Sequence, residues 1–265
     1  MPYANQILDK CDSTNDLAKS LAEQGAPHGT WVSSKIQEAG RGRLGRSWQS
    51  IEGNLFLSLV VRIENKRLWS WIPLATAVGI IRHLRKAFPI LELPALEVQV
   101  KWPNDIYLNG RKLGGILCES VGGPRSFVIV GIGLNCVASP NGPDLNAMDL
   151  TTKLNGQKIT ADTLRVELIS SVLGELNGLI SEGPKNIANS YRNWAALPPG
   201  TKIQWDQGRK SGFVHDLGPS GELEVLTDQG TMLSLFAEDV NLIKKRSPKD
   251  REDPGASGGA VGTAL

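Results

Sequence analysis

The residues most suited to chemistry form a loop of alternating glycine and arginine, GRGRLGRSW, at 40–48. Glycine lets backbone N–H groups come close to a phosphate, and arginine adds a planar pair of hydrogen-bond donors. The three arginines of this loop repel one another unless an anion lies among them. We therefore predict a loop that becomes ordered when a polyanionic ligand binds.

Three other interpretations of this loop compete with that one. Gly40, Gly42 and Gly45 fit the GxGxxG dinucleotide-binding pattern, but that pattern needs a helix at its last glycine, and a β-rich segment follows here. An Arg-Gly segment for nucleic acid would need more aromatic residues and a basic chain, whereas Lys+Arg 29 and Asp+Glu 27 leave a net charge of only +2. The third alternative is a basic turn that is exposed to solvent and binds no ligand.

A second candidate is the ammonium group of Lys112, which follows an Asn109-Gly110 pair between two apolar segments. Asn-Gly in that setting is the strongest short signal for a β-hairpin, because both residues tolerate positive φ. Lys112 would then lie at the start of the return strand, beside Gly114 and Gly115, as a fixed positive charge. The alternative is a solvated hairpin lysine.

Several common types of site are missing from the sequence. There is no Gly-Lys dipeptide, so a P-loop does not hold ATP if ATP is used. HExxH is absent, and the cysteines (Cys11, Cys118 and Cys136) are too scattered for a disulfide framework or a Cys-rich metal site. The start lacks the features of a signal peptide, and no apolar run approaches the ~18 residues of a membrane helix. We expect a cytoplasmic protein with no membrane partner.

The elements that must hold these residues follow from periodicity and turn signals. A helix is predicted after Asp12, with Thr14 as N-cap and Gly25 as its stop. Extended segments are predicted at 31–36, 54–63, 97–102 and 127–135, and helices at 68–87, 162–180 and 185–195. After 197–200 (LPPG), short strands alternate with turns, which favours a small all-β barrel. The predicted organisation is a catalytic domain at 1–197, a barrel at 198–246 and a disordered tail at 247–265.

Five motifs in this order resemble those of the bacterial biotin–protein ligases. They are Ser13-Thr14-Asn15, Gln37 with GRGRLGRSW, KWPNDI at 101–106, RKLGGIL at 111–117 and GIGLN at 131–135. The C-terminal region is similar, more loosely, to the small Src-homology-3-like barrel of these ligases. The resemblance implies an α+β fold, with a class II aminoacyl-tRNA-synthetase-like catalytic domain built on a mixed sheet and a C-terminal barrel.

The resemblance also implies a two-step reaction that uses ATP, biotin and Mg²⁺. Biotin would be activated as biotinyl-5′-AMP and passed to a lysine of a biotin carboxyl carrier protein. Homodimers are common in the family. Larger members carry an N-terminal DNA-binding domain; since the Ser-Thr-Asn motif begins at residue 13, no DNA partner is expected. Two alternatives stay open, namely a lipoate or octanoate ligase on the same fold and a non-catalytic biotin sensor.

Roles for individual residues come from the same resemblance. The catalytic residues would be Lys112, Arg43 and Arg41. Biotin would be bound by Ser13, Thr14, Asn15, Gln37, Arg41, Gly42, Arg43, Lys112, Gly114 and Gly115, and the nucleotide by Arg46, Trp48, Asn104, Asp105 and Asn135, with no metal held by the protein alone. Taken without the family, Ser13 or Thr14 could simply cap a helix and Trp48 could be a packing residue. Asp105 could be a turn residue, and Lys101 either meets phosphate or alternates to the surface.

Overall fold

The computed structural model describes residues 5–88, 97–123, 126–140, 142, 146–154, 159–236 and 240–242. Its larger sheet contains β1 (Gln6–Cys11), β2 (Trp31–Gln37), β3 (Leu55–Val61), β4 (Val98–Lys101), β5 (Asp105–Leu108), β6 (Arg111–Val121) and β7 (Phe127–Leu134). These strands lie in the order β1-β2-β3-β7-β6-β5-β4. β1 and β2 are parallel and the other pairs are antiparallel, so the sheet is mixed, as predicted.

The helices are α1 (Thr14–Glu23), α2 (Ile72–Ala87), α3 (Leu150–Lys153), α4 (Ala161–Glu182) and α5 (Lys185–Trp194). Alternate residues of β3 (Leu55, Leu57 and Leu59) join the large hydrophobic core that contains α2 and α4. Val60, which points to the opposite face of the strand, packs in a smaller cluster with α1. The start of α1 therefore lies on the face of the sheet that the main core does not cover.

A second sheet follows the seven-stranded sheet along the chain. It contains β8 (Lys202–Trp205), β9 (Lys210–Leu217), β10 (Leu223–Thr227), β11 (Met232–Leu235) and β12 (Asn241–Leu242), all antiparallel, in the order β11-β10-β9-β8-β12. Two indoles from the part of the chain before residue 198 reach this sheet: Trp102 Nε1 donates to Gly221 O at 3.0 Å, and Trp71 Nε1 donates to Pro219 O at 3.2 Å. The closed barrel stays a prediction.

Most predicted elements are confirmed, with corrections at their ends. The α-helix predicted from residue 68 begins at Ile72, because Lys66–Trp71 form a 3₁₀ helix and Pro73 favours the first turn of an α-helix. Ser13, and not Thr14, is the N-cap residue of α1. Asn109 and Gly110 have φ of 49° and 71°, as the hairpin turn requires.

The predicted tail at 247–265 lies outside the described residues. In the part that is described, no helix has both the length and the apolar character needed to cross a membrane.

Candidate active site

A buried polar cluster lies where α1 begins. Ser13, Thr14 and Asn15 are each at most 5% exposed. The backbone N–H and the hydroxyl of Thr14 both donate to Gln37 Oε1, at 2.9 and 3.0 Å. The hydroxyl of Ser58 lies 2.8 Å from Thr14 Oγ1 and 2.6 Å from Asn15 Oδ1. The cluster thus brings four predicted residues together and adds Ser58, whose only sequence signal is a polar residue in an apolar strand.

Next to this cluster, glycines form a floor on the sheet. Gly115 on β6 pairs with Gly133 on β7. A Cβ on Gly133 would lie 2.6 Å from two ring carbons of Trp48, and a Cβ on Gly115 would lie 3.3 Å from a third. A Cβ on Gly131 would collide with the Asn15 side chain. We call Gly115, Gly131 and Gly133 the glycine floor, because their missing side chains make room for Trp48 and Asn15.

Gly114 does not belong to this floor. A Cβ there would meet Gly133 O at 2.6 Å and Leu134 Cδ1 at 2.9 Å, and Leu134 is part of the main core. Gly114 therefore allows β6 and β7 to pack closely, on the side of the sheet away from Trp48. The structure does not bring it together with the other residues predicted to bind biotin.

Positive charge gathers at one end of the floor. Lys112 Nζ lies 2.7 Å from Asp105 Oδ1 and 5.6 Å from the centroid of the Trp48 ring. Burial lowers the pKa of Lys101, and the charges of Lys112 and Arg46 add to this effect while Asp105 opposes it. Lys101 thus lies close enough to Lys112, Arg46 and Asp105 to feel their charges, and three cations with one carboxylate make this end of the site attractive to an anion. Lys101 belongs to the KWPNDI motif, and of its two predicted alternatives, a contact with phosphate or a surface position, its place beside these charges favours the first.

The 40–48 loop is held by its own backbone. Gly42 N donates to Arg46 O at 2.7 Å, and Trp48 N donates to Gly40 O at 2.8 Å. Arg43–Gly45 form a single 3₁₀ turn, with Gly45 at a φ of 73°. Leu44, at a φ of 55°, leaves helical geometry inside this turn, and Gly45 follows it in the left-handed region that glycine adopts readily. The segment is therefore a tight, irregular turn, in agreement with the predicted loop.

The first two arginines of the loop reach in different directions. Arg41 makes two hydrogen bonds of 2.7 Å to the carboxylate of Asp16, and this guanidinium lowers the pKa of Asp16. Arg43 Nη1 donates to Asn104 Oδ1 at 2.8 Å. Asn104 is itself fixed, since its Nδ2 donates to Ile116 O at 2.6 Å. The loop is therefore attached to α1 on one flank and to the turn between β4 and β5 on the other.

Two asparagines near the end of β7 support the site from outside. Asn135 is buried; its Nδ2 donates to Met148 O at 3.1 Å and its backbone N–H to Leu113 O at 2.9 Å. Asn54 Oδ1 accepts from the backbone N–H groups of Cys136 and Val137, at 2.9 and 3.0 Å. Asn135 thus holds the segment after it against β6. Asn54, which belongs to none of the motifs, fixes the backbone at Cys136 and Val137, directly after Asn135.

A cavity of about 170 Å³ lies where Arg43 and Asn104 face the C-terminal sheet, and Glu222 and Phe236 line its far side. Across the described ranges, no group of three His, Cys, Asp or Glu side chains is arranged to hold a metal ion.

Comparison with known proteins decides the family. Residues 8–135 match the sequence model of the biotin/lipoate A/B protein ligase family. Biotin–protein ligase 2 of Arabidopsis thaliana is 38% identical over 236 residues, which are 86% of this chain and 68% of that protein. The chain belongs to the biotin/lipoate A/B protein ligase family. The predicted resemblance is therefore confirmed. Every predicted site residue lies within the matched segment, residues 8–135.

Two further relatives define the extent of the likeness. The bifunctional ligase/repressor BirA of Bacillus subtilis is 37% identical over 158 residues, 57% of this chain and 47% of that protein. The matched part of this chain thus spans about half the length of the Bacillus relative. The structure of biotin protein ligase from Aquifex aeolicus in complex with biotin and ATP has a TM-score of 0.73 at 24% identity and covers 90% of this chain and 99% of that one. The two share the α+β fold.

Proposed function

We propose that this chain is an ATP-dependent biotin–protein ligase that makes biotinyl-5′-AMP and transfers biotin to a lysine of a biotin carboxyl carrier protein. The observation that carries the proposal is Lys112, whose Nζ is paired with Asp105 at 2.7 Å beside the glycine floor. This fixed cation lies at the opposite end of the floor from a pocket of amides and hydroxyls. The name of the Arabidopsis relative supports the same activity.

The polar cluster favours biotin over lipoate. The ureido ring of biotin has two N–H donors and a carbonyl acceptor, which must all be satisfied when the ring is buried. Thr14, Asn15, Gln37 and Ser58 offer both donors and acceptors in one buried cluster. The dithiolane ring of lipoate has no strong donor or acceptor with which to bind these groups.

In the first step, a carboxylate oxygen of biotin attacks the α-phosphorus of ATP. The bond from that phosphorus to the bridging oxygen breaks, and pyrophosphate leaves with the electron pair. Because two anions must approach each other, the reaction needs fixed positive charge at the carboxylate and the α-phosphate. Lys112 and Arg43 would supply it, with Lys101 and Arg46 beside them. Mg²⁺ would arrive with ATP as part of the substrate, with Asp105 as the neighbouring carboxylate.

In the second step, the neutral amine of the carrier lysine attacks the acyl carbon of biotinyl-5′-AMP. The carbon–oxygen bond to AMP breaks, AMP leaves, and the nitrogen loses a proton, for which Asp105 is the nearby carboxylate acceptor. Water must be kept from the mixed anhydride until then. Trp48, packed on the glycine floor, and the loop around Gly42 would cover it.

The three free cysteines are Cys11, Cys118 and Cys136. Free thiols suit the reducing cytoplasm in which we place this activity.

The proposal is tested by incubating the protein with MgATP, biotin and an apo carrier domain. We expect one biotinylated lysine by mass spectrometry, and none on a carrier whose target lysine is replaced by arginine. Absence of transfer at micromolar enzyme would refute the proposal. A thermal-shift comparison of biotin with lipoate separates the two ligases. Biotin-dependent exchange of pyrophosphate into ATP separates an enzyme from a biotin sensor.

A further inference from the structure

Arg41 fastens the 40–48 loop to the body of the protein through two carboxylates. Its Nη1 and Nη2 lie 2.7 Å from the two carboxylate oxygens of Asp16 on α1, which is the two-pronged geometry that arginine forms best. Its Nη2 also lies 3.4 Å from both carboxylate oxygens of Glu119 on β6. The residues concerned are 25 and 78 positions away in sequence.

The same contacts continue into the polar cluster. Glu119 Oε2 accepts a hydrogen bond of 2.6 Å from Asn15 Nδ2, and Asn15 Oδ1 lies 2.6 Å from the hydroxyl of Ser58. Asn15 follows Thr14 directly and precedes Asp16 in the first turn of α1. The loop, the start of α1 and the C-terminal part of β6 are thus joined by one continuous set of hydrogen bonds.

The charge of this corner argues against direct phosphate binding by Arg41. Two carboxylates face one guanidinium, so the group of three is negative as a whole and repels a phosphate. The cations that can meet an anion, Lys112 and Lys101, lie on the flank where Arg43 contacts Asn104.

We propose that Asp16 and Glu119 are positioning residues that hold Arg41 and so clamp the 40–48 loop over the bound acyl adenylate. Arg41 then acts as the fastening of the loop, and not as a ligand of the phosphate. The inference deepens the proposed function and rests on it for the identity of the ligand. It names two acidic residues that no motif marks.

The first test needs no ligand. Trypsin cuts after the arginines of the loop, and Asp16→Asn should increase the rate of these cuts about twofold to fivefold, the upper part of the range for an exposed ion pair. Asp9→Asn is the matched control, because it removes the same charge from another exposed pair, Asp9 with Lys35 at 2.7 Å, on β1. Equal cleavage of the loop in the two variants would overturn the clamp.

The second test measures how fast biotinyl-5′-AMP leaves the protein after biotin and MgATP are removed. A clamp predicts faster release from Asp16→Asn and, to a smaller extent, from Glu119→Gln. If Asp16 did not hold the loop, removing its negative charge would reduce repulsion of the anionic adenylate and slow its release. Slower or unchanged release from Asp16→Asn therefore contradicts the proposal.

Two comparisons isolate the cause. Glu119 contacts both Arg41 and Asn15 in the first turn of α1, and Glu119→Gln keeps an amide oxygen that can still accept from Asn15 while the charge that faces Arg41 is lost. An effect limited to Asp16→Asn would point to the helix and overturn the shared role. Asp16→Glu should restore protection of the loop. If the wild-type protein makes no adenylate, the proposed function fails, and the cleavage assay still decides whether the two acidic residues hold the loop.

Discussion

Adding one methyl group at Gly133 tests whether Trp48 rests on the glycine floor. The backbone of Gly133 has no positive φ, so alanine can adopt it, and any cost must come from contacts of the new Cβ. That atom would lie 2.6 Å from Cε2 and Cζ2 of Trp48 and 2.9 Å from its Nε1. Ordinary contacts between carbons are about 3.5–4.0 Å, so the ring must retreat by roughly 1 Å.

The size of the effect follows from this overlap. Overpacking of this kind costs about 1–3 kcal/mol, and we expect Gly133→Ala to lie near the lower end because Trp48 is only partly buried. A loss of about 1 kcal/mol reduces the ratio of docked to undocked Trp48 about fivefold. The free energy of unfolding should fall by a similar amount. Gly174→Ala is the matched control, since Gly174 lies in α4 with open space around it, and alanine there should stabilise the helix by up to about 1 kcal/mol.

Urea unfolding and the rate of tryptic cleavage within 40–48 measure the two consequences. Gly133→Ala should lower stability and raise the cleavage rate, and both effects should vanish in a Trp48→Ala background, where the ring is gone. If the cost of Gly133→Ala is the same with and without the tryptophan, the ring does not rest on this glycine, and our account of the covering loop is wrong.

The other predictions concern charge and titration. Lys112→Ala should lower the rate of pyrophosphate exchange about 10²–10³-fold while biotin binding stays measurable by calorimetry; a rate within threefold of wild type would exclude Lys112 from the reaction. Arg43→Gly should release biotinyl-5′-AMP into solution, detected by chromatography, and retention equal to wild type would contradict its covering role. Burial raises the pKa of the Cys118 and Cys136 thiols to about 12 from an ordinary 9.0. These thiols ionise first in the unfolded chain, so the free energy of unfolding should fall as pH rises from about 9 towards 12, and an unchanged value between about pH 8 and pH 10 would count against this burial.

Local signals predicted the parts of the fold that depend on neighbours in sequence. Asn109-Gly110 specified its hairpin, because both residues accept the positive φ that the turn needs. The start of α2 was misplaced since residues 68–71 have the same apolar spacing as the helix that follows, and only the proline at 73 marks the change. The family motifs gave the identity of most candidate residues but not which of them touch.

The contacts that organise the site could not be predicted because they join distant segments. Ser58 meets Thr14 and Asn15 across 44 and 43 residues, and this depends on the register of β3 in the sheet. In the sequence, Asp16 and Glu119 cannot be told from ordinary acidic surface residues. Only the folded chain reveals that both contact Arg41. Gly114 and Gly115 are adjacent in one motif, yet they face opposite sides of the sheet. Gly114 allows close packing of β6 against β7, whereas Gly115 makes room for Trp48.

The indoles of Trp71 and Trp102 each donate to a backbone carbonyl on the 219–221 turn of the C-terminal sheet. Without that turn, two large aromatic groups and their N–H donors would be left on the surface of the part that contains the larger sheet. A fragment that ends near residue 198 would consequently expose apolar surface and tend to aggregate. The 265-residue chain should melt in one cooperative transition, and replacement of the small sheet by a foreign module would succeed only if the module offered two acceptors at the same spacing.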